Sequence, residues 1–148
     1  MPAGWTTVLA LLALSLAACA HAGGGAAGPA PGPGPLGGRP WQLVAIRMAD
    51  GTRLVPVDPA LYTLELAAEG RAAMRADCNR ASASYELLGS ALAFGPIAST
   101  RAMCPPESIS DRYLQQLGLV ASHRTRDGHL LLATRADGAI LEFRRAPP

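Results

Sequence analysis

The chain has 148 residues, and its 13 basic side chains, all of them arginine, nearly balance its 11 acidic ones. The arginines form no basic stripe, so nucleic-acid binding has little support. The length fits a single domain, and we expect that domain to be shorter than the chain because the N-terminal residues have the pattern of a targeting segment.

The N-terminal segment predicts export and a lipid anchor. Residues 8–18 read VLALLALSLAA, an apolar run shorter than the roughly 20 residues that span a bilayer. The run leads into LAAC, which ends at Cys19 and resembles the bacterial lipobox, whose cysteine is lipidated and becomes the mature N-terminus. We predict a signal peptide over residues 1–18 and lipidation of Cys19; a buried N-terminal helix and a secreted form without lipid are the alternatives. Ala20 stands where enterobacterial lipoproteins of the inner membrane carry Asp, so the resemblance implies an outer-membrane anchor facing the periplasm.

A tether is predicted between the anchor and the folded domain. Gly and Pro dominate residues 19–40, in which Leu36 is the only large apolar residue that could anchor a core. Such a segment cannot offset its ordering entropy by burial, so we expect a flexible, partly polyproline chain. The folded domain is then predicted over residues 41–148.

Most of this domain alternates apolar and polar residues with a period of two, which predicts β-strands. The segments concerned are WQLVAIR, YTLELA with AAMRA as its hairpin partner, SYELL with ALAF, and finally ASHRTR, HLLLAT and AILEFRR. The last three are separated by Asp-Gly pairs, which favour tight hairpin turns.

One stretch, ESISDRYLQQLGLV at residues 107–120, predicts a helix instead. Four apolar residues recur there at helical spacing, namely Ile109, Tyr113, Leu117 and Val120. Four polar residues are predicted to face away, namely Asp111, Arg112, Gln115 and Gln116. Ser108 begins an S-x-x-D capping signal and Gly118 is a natural C-terminal stop, so we expect one helix of about ten residues.

The fold class is therefore mainly β. We predict an antiparallel, barrel-like curved sheet of about eight short strands, with one α-helix packed against it and covering an open side.

Several short motifs are spread over the whole folded domain. They are Trp41 and Leu43 in the first strand, CN at Cys78 and Asn79, Tyr85, FGPIASTRAMCP at residues 94–105, YLQQL in the helix, and LLL and LEF in the last strands. Together they resemble the META domain family, and the combination of CN with T-R-x-x-C is the most specific part. The resemblance implies a β-barrel-like fold with one helix, often on an anchored or secreted chain. The bacterial members include a heat-shock lipoprotein, the family is loosely associated with heat and antibiotic tolerance, and the resemblance implies no catalytic residues.

The chain departs from the family pattern at two positions. It has Asp77 and Ala83 where family members commonly have glycine. Because glycine permits tight turns that other residues resist, this departure predicts an altered turn before Cys78.

If Cys19 is lipidated, two cysteines remain in an exported chain. An oxidising compartment favours a disulfide between Cys78 and Cys104, which would stabilise the domain by about 3.5 kcal/mol in the chain-entropy model. Two buried, reduced thiols are the alternative. A bridge would bring Asn79, Arg80, Thr100 and Arg101 beside the cysteines, where they could bond the loop backbone or form a binding loop.

No catalytic, metal or cofactor site is predicted. A nucleophilic cysteine needs a base, and the domain offers only His123 and His129, neither in a recognisable nucleophile motif. The spacing of cysteines and histidines matches no common metal motif. Arg124 and Arg126 share one strand face, which is either an anion or lipid-headgroup patch or a solvated face that discourages aggregation.

These features favour an envelope-anchored lipoprotein whose META-like domain is a non-catalytic structural or binding module linked to envelope stress tolerance. Its expected partners are the membrane, through the N-terminal lipid, and an envelope protein or small ligand at the barrel mouth or a sheet edge. Two competing classes are an inhibitor-like module that presents residues 97–106 and a thiol hydrolase.

Overall fold

The structure is a computed structural model that describes residues 32–135 and 138–148. The predicted signal peptide, Cys19 and most of the predicted tether lie outside the described residues, as do Ala136 and Asp137 of the second predicted Asp-Gly turn.

Ten strands and one α-helix make up the described part of the chain. The strands are β1 (Trp41–Arg47), β2 (Arg53–Leu54), β3 (Tyr62–Ala67), β4 (Arg71–Ala76), β5 (Asn79–Leu88), β6 (Ala91–Phe94), β7 (Ala98–Ser99), β8 (Val120–Arg126), β9 (His129–Thr134) and β10 (Ile140–Arg145), and the helix α1 is Ser110–Gly118. Short 3-10 turns cover Gly34–Leu36, Pro59–Leu61 and Ala68–Gly70.

Eight of these strands close into an antiparallel barrel. Their order is β1, β3, β4, β5, β6, β8, β9 and β10, and β10 pairs with β1 to complete the circle. The short strands β2 and β7 pair with β1 and β5 respectively. The predicted fold class, a barrel-like sheet of about eight strands with one helix, is confirmed.

The burial of the strands follows the predicted alternation in β3, where Tyr62, Leu64 and Leu66 all face the core. Strand β1 departs from it, because Leu43, Ala45 and Ile46 are all buried. The register of β1 against β10 shifts between Leu43 and Ala45, and such a bulge changes which side chains point inward.

Helix α1 contributes a tyrosine to the barrel core. Tyr113 is fully buried, with its ring 5.7 Å from that of Tyr62 in an edge-to-face arrangement and 6.2 Å from that of Phe143. Its hydroxyl donates a hydrogen bond of 2.9 Å to the carbonyl oxygen of Thr63. Burial raises the pKa of Tyr113 well above its ordinary value, because the charged phenolate would be unsolvated there. The helix is therefore fixed to β3 and β10 through one side chain.

The helix bounds are close to the prediction, but one side-chain orientation is wrong. Gln116 was expected to face solvent and is fully buried, because it lies one turn from Tyr113 and beside Leu117 on the core face. Ser108 supports the first turn by accepting a hydrogen bond of 3.2 Å from the amide of Ser110. Gly118 ends the helix as expected.

The segment before β1 is packed against the barrel, although it lies within the predicted tether. Leu36 is buried in the core, and its carbonyl oxygen accepts a hydrogen bond of 2.8 Å from the indole nitrogen of Trp41. The guanidinium of Arg145 stacks on the Trp41 ring at 3.9 Å and donates to the carbonyl oxygens of Pro35, Leu36 and Arg39. One arginine at the end of the last strand therefore holds the entry to the first strand.

We expect Arg145→Lys to destabilise the protein by about 1–2 kcal/mol, because an ammonium cannot stack on Trp41 and reach several carbonyl oxygens at once. Urea unfolding followed by tryptophan fluorescence measures the change. The matched control is Arg144→Lys, since that side chain is exposed and should shift stability by less than about 0.5 kcal/mol. Equal effects of the two variants would contradict the role assigned to Arg145.

Candidate binding loop

A disulfide between Cys78 and Cys104 ties two distant parts of the chain together. Cys78 lies in the turn between β4 and β5, Cys104 lies in the segment before α1, and their Cα atoms are 5.5 Å apart. The two cysteines are separated by 26 residues, and closing a loop of that length stabilises by about 3.5 kcal/mol in the chain-entropy model. The bond holds the segment that leads into the helix against the barrel rim.

The side chain of Asn79 holds the same segment a second time. Its amide oxygen accepts hydrogen bonds from the backbone nitrogen of Ala102 at 2.8 Å and from the hydroxyl of Thr100 at 2.9 Å. Its amide nitrogen donates to the carbonyl oxygen of Ala102 at 3.2 Å. Asn79 is only 5% exposed, so the barrel side of these bonds is shielded from water although Thr100 and Ala102 are exposed. Both backbone polar groups of Ala102 are thus bound by one side chain.

Backbone pairing continues this attachment toward β7. Strand β7 pairs antiparallel with β5 through Ser99 opposite Ala81, and the Thr100 amide donates to the Arg80 carbonyl oxygen at 3.0 Å. The Thr100 hydroxyl also accepts from the amide of Arg80 at 3.0 Å. Residues 98–104 therefore run as an edge strand along the start of β5, held at successive positions by backbone, side-chain and disulfide bonds.

Met103 lies between the last two attachments and is 99% exposed. Every residue from Ala98 to Met103 is exposed, so the segment projects as a ridge. The backbone groups of Arg101 and Met103 have no hydrogen-bond partner among residues 32–135 and 138–148, since antiparallel pairing directs alternate residues away from the neighbouring strand. The ridge offers unpaired backbone groups and an apolar side chain on a fixed chain path. We call residues 98–104 the ridge from here on.

The turn at Asp77 and Cys78, beside the ridge, is held by the side chain of Tyr62. The Tyr62 hydroxyl accepts from the amide of Ile109 at 3.0 Å, lies 3.1 Å from the Ser108 hydroxyl, and donates to the Asp77 carboxylate at 3.2 Å. Burial is the main reason why the pKa of Tyr62 lies above its ordinary value. The phenol therefore remains neutral and joins the start of α1 to the turn that carries Cys78.

Asp77 takes the backbone conformation that a glycine would take easily. Its φ is 58°, in the left-handed region, which Asp tolerates better than most residues. The Asp77 amide donates to the Leu61 carbonyl oxygen at 2.8 Å, and Ala76 and Asn79 pair on either side of the turn. The two-residue turn thus forms without glycine and brings Cys78 within reach of Cys104.

The predicted loop residues take two different roles. Asn79, Thr100 and Arg101 line one cavity of about 380 Å³ together with Asp111 and Leu114 of the helix. Asn79 and Thr100 use their polar atoms to hold the ridge, while the side chains of Arg80 and Arg101 are exposed. Met103 was not among the predicted loop residues, although an apolar residue between an arginine-containing polar stretch and two prolines is a usable signal.

Neither histidine lies against the cysteines. The Nε2 atom of His123 is 2.9 Å from the Gly89 carbonyl oxygen, and the Nδ1 atom of His129 is 2.9 Å from the Glu142 carboxylate. Both sulfur atoms are bonded to each other. No group of three or more metal-ligating side chains occurs in the described ranges. None of the helices within these ranges is long and apolar enough to cross a membrane.

Arg124 and Arg126 line a shallow groove of about 300 Å³ on the outer barrel face. Its charges are mixed, because Glu142 binds both Arg47 at 2.6 Å and His129, and Asp127 lies 3.4 Å from Arg126. This arrangement fits a solvated strand face better than a site built for an anion.

We expect Asn79→Asp to destabilise the protein by about 1–3 kcal/mol. A carboxylate still accepts from the Ala102 amide but cannot donate to the Ala102 carbonyl oxygen, which would then face negative charge. Thermal unfolding measures the loss, and hydrogen exchange should show faster exchange at the amides of Thr100 and Ala102. Arg80→Gln is the control, since the Arg80 side chain is exposed and should leave both measurements unchanged. An unchanged unfolding midpoint for Asn79→Asp would contradict the role of Asn79 in holding the ridge.

Comparison with known proteins identifies a matching family and similar solved structures. A family model described as META domain matches residues 34–148. An NMR structure of a protein from Burkholderia xenovorans is 28% identical with a TM-score of 0.64, covering 76% of this chain and 85% of that chain. A crystal structure of a DUF4847 family protein from Bacteroides vulgatus shares the fold at 10% identity and a TM-score of 0.56, covering 78% of this chain and 98% of that one. No curated protein matches the chain. None of these matches indicates a catalytic family.

Proposed function

The chain belongs to the META domain family, and from this premise we propose that it is a non-catalytic binding module, held at the cell envelope by a lipid on Cys19, whose ridge binds a protein partner. The observation that carries the proposal is Met103, an apolar side chain that is 99% exposed on a segment fixed at both neighbouring residues. Burial of a large apolar side chain by a partner is favourable and contributes to the free energy of binding. Because the ridge is already ordered, little conformational entropy is lost on binding.

A thiol enzyme would need a free thiol and a base close together, and neither cysteine offers such a pair. Cys78 and Cys104 are bonded to each other, and His123 and His129 engage other groups. A binding role uses what the ridge offers, namely free backbone groups at Arg101 and Met103 that a partner strand can pair with. A role in envelope stress tolerance would follow if the partner acts there.

The lipid anchor is tested separately from the binding surface. We expect metabolic labelling with a fatty acid to mark the wild-type protein and not Cys19→Ala, because the lipobox cysteine is the acylated residue. Cys104→Ala is the control and should still be labelled. Labelling of Cys19→Ala at the wild-type level would remove the anchor from the proposal.

The ridge is tested by replacing Met103 with photoreactive benzoylphenylalanine and irradiating cells that produce the protein. We expect one discrete cross-linked protein, which excess purified wild-type protein competes away and excess Met103→Asp protein does not. The control places the same photoreactive residue at Val57, which is 81% exposed in the loop between β2 and β3. The same cross-linked band from both positions, or no band from position 103, would count against the ridge as the binding surface.

A further inference from the structure

Resting on the proposed function, we infer that the partner of the ridge is a serine endopeptidase with an apolar specificity pocket, and that the ridge inhibits it by binding as a substrate does. Such an enzyme binds an extended chain, pairs with its backbone on one edge, and takes one side chain into a pocket. Three features of the ridge match these requirements.

The first feature is the alternation of backbone groups. An endopeptidase that takes Met103 into its pocket would pair with the backbone of Met103 and of Arg101, two residues earlier, because every second residue of an extended chain faces the same edge. The amides and carbonyls of both residues lack partners in the described part of the chain, as do those of Cys104 after them. The intervening Ala102 has both groups bound to Asn79 on the barrel side.

The second feature is the side chain presented. Met103 is unbranched and apolar, and its 99% exposure leaves it free to enter a pocket. The neighbours of Met103 are small or held back, since Ala102 bears only a methyl group and Cys104 is tied to Cys78. The residue best placed to enter a specificity pocket is therefore Met103.

The third feature explains inhibition in place of digestion. Attack by the enzyme's serine oxygen on the Met103 carbonyl carbon would break the bond to the Cys104 nitrogen, which takes up a proton and becomes an amine. The Met103 side of this bond is held through Asn79 and the Cys104 side through the disulfide, so the amine cannot diffuse away. Its return to the acyl carbon reforms the peptide bond and releases the serine hydroxyl. Hydrolysis is slowed because the reverse step competes with water.

The probes are chymotrypsin and subtilisin, which accept large apolar residues, and trypsin, whose pocket carries an aspartate. We expect the full chain to inhibit at least one of the first two enzymes and not trypsin. Met103→Ala should weaken that inhibition by about 30-fold or more, the effect of removing a hot-spot side chain. Met103→Lys should lose it and gain inhibition of trypsin.

The matched control is Leu88→Ala, which removes an apolar side chain that is 80% exposed at the turn between β5 and β6. It should leave the inhibition constant unchanged. Because both Met103 and Leu88 are exposed, all variants should fold, which circular dichroism checks. Slow cleavage, where it occurs, should add one water to the intact mass and yield two fragments after reduction, with the break between Met103 and Cys104.

No inhibition of chymotrypsin or subtilisin, or unchanged inhibition by Met103→Ala, overturns this inference. The proposed function fails separately, when position 103 captures no partner by photocross-linking. Capture of a partner together with absence of protease inhibition leaves a binding module whose partner is another kind of protein, and this inference is then wrong.

Discussion

The pairing of the first strand with the last is the constraint on which this structure depends. When β10 pairs with β1, eight strands form a closed circle in which each strand has a paired neighbour on both sides. Closure creates an interior that side chains must fill, and Tyr113 of the helix enters it against Tyr62 and Phe143. The short strand β7, where the ridge begins, lies outside this circle and pairs only with β5.

The ridge shows how a small domain can make a loop rigid without a regular element. Its attachments come from different parts of the chain: a side chain at the start of β5, a cysteine in the preceding turn, and the backbone of β5 itself. Each attachment joins residues that are in contact but more than fifteen positions apart in the sequence. The loop therefore gains order only when the barrel has formed. The same turn is connected through Tyr62 to the start of the helix, which makes the geometry of the ridge and that of the barrel rim interdependent.

The strands and the helix could be predicted because their side-chain periods of two and 3.6 are local properties of the sequence. The position of Asn79 and Thr100 beside the cysteines could be predicted because a disulfide between Cys78 and Cys104 was expected. What escaped prediction depends on contacts between distant residues: the stacking of Arg145 on Trp41, and the burial of Gln116 on the helix face beside Leu117. The exposure of Met103 could not be read from any period, because it depends on how Asn79 and the disulfide fix the backbone on either side of it.

The contacts of Arg145 also decide how the domain would respond to a pulling force. A load applied through the residues before Gly32 reaches the 3-10 turn at Gly34–Leu36 and then the guanidinium that holds its carbonyl oxygens. The next element along the chain is β1, which pairs with β10 from Trp41 to Arg47. The contacts of Arg145 would break before the pairing of β1 with β10, and their loss would lengthen the chain by a short distance while the barrel stays closed.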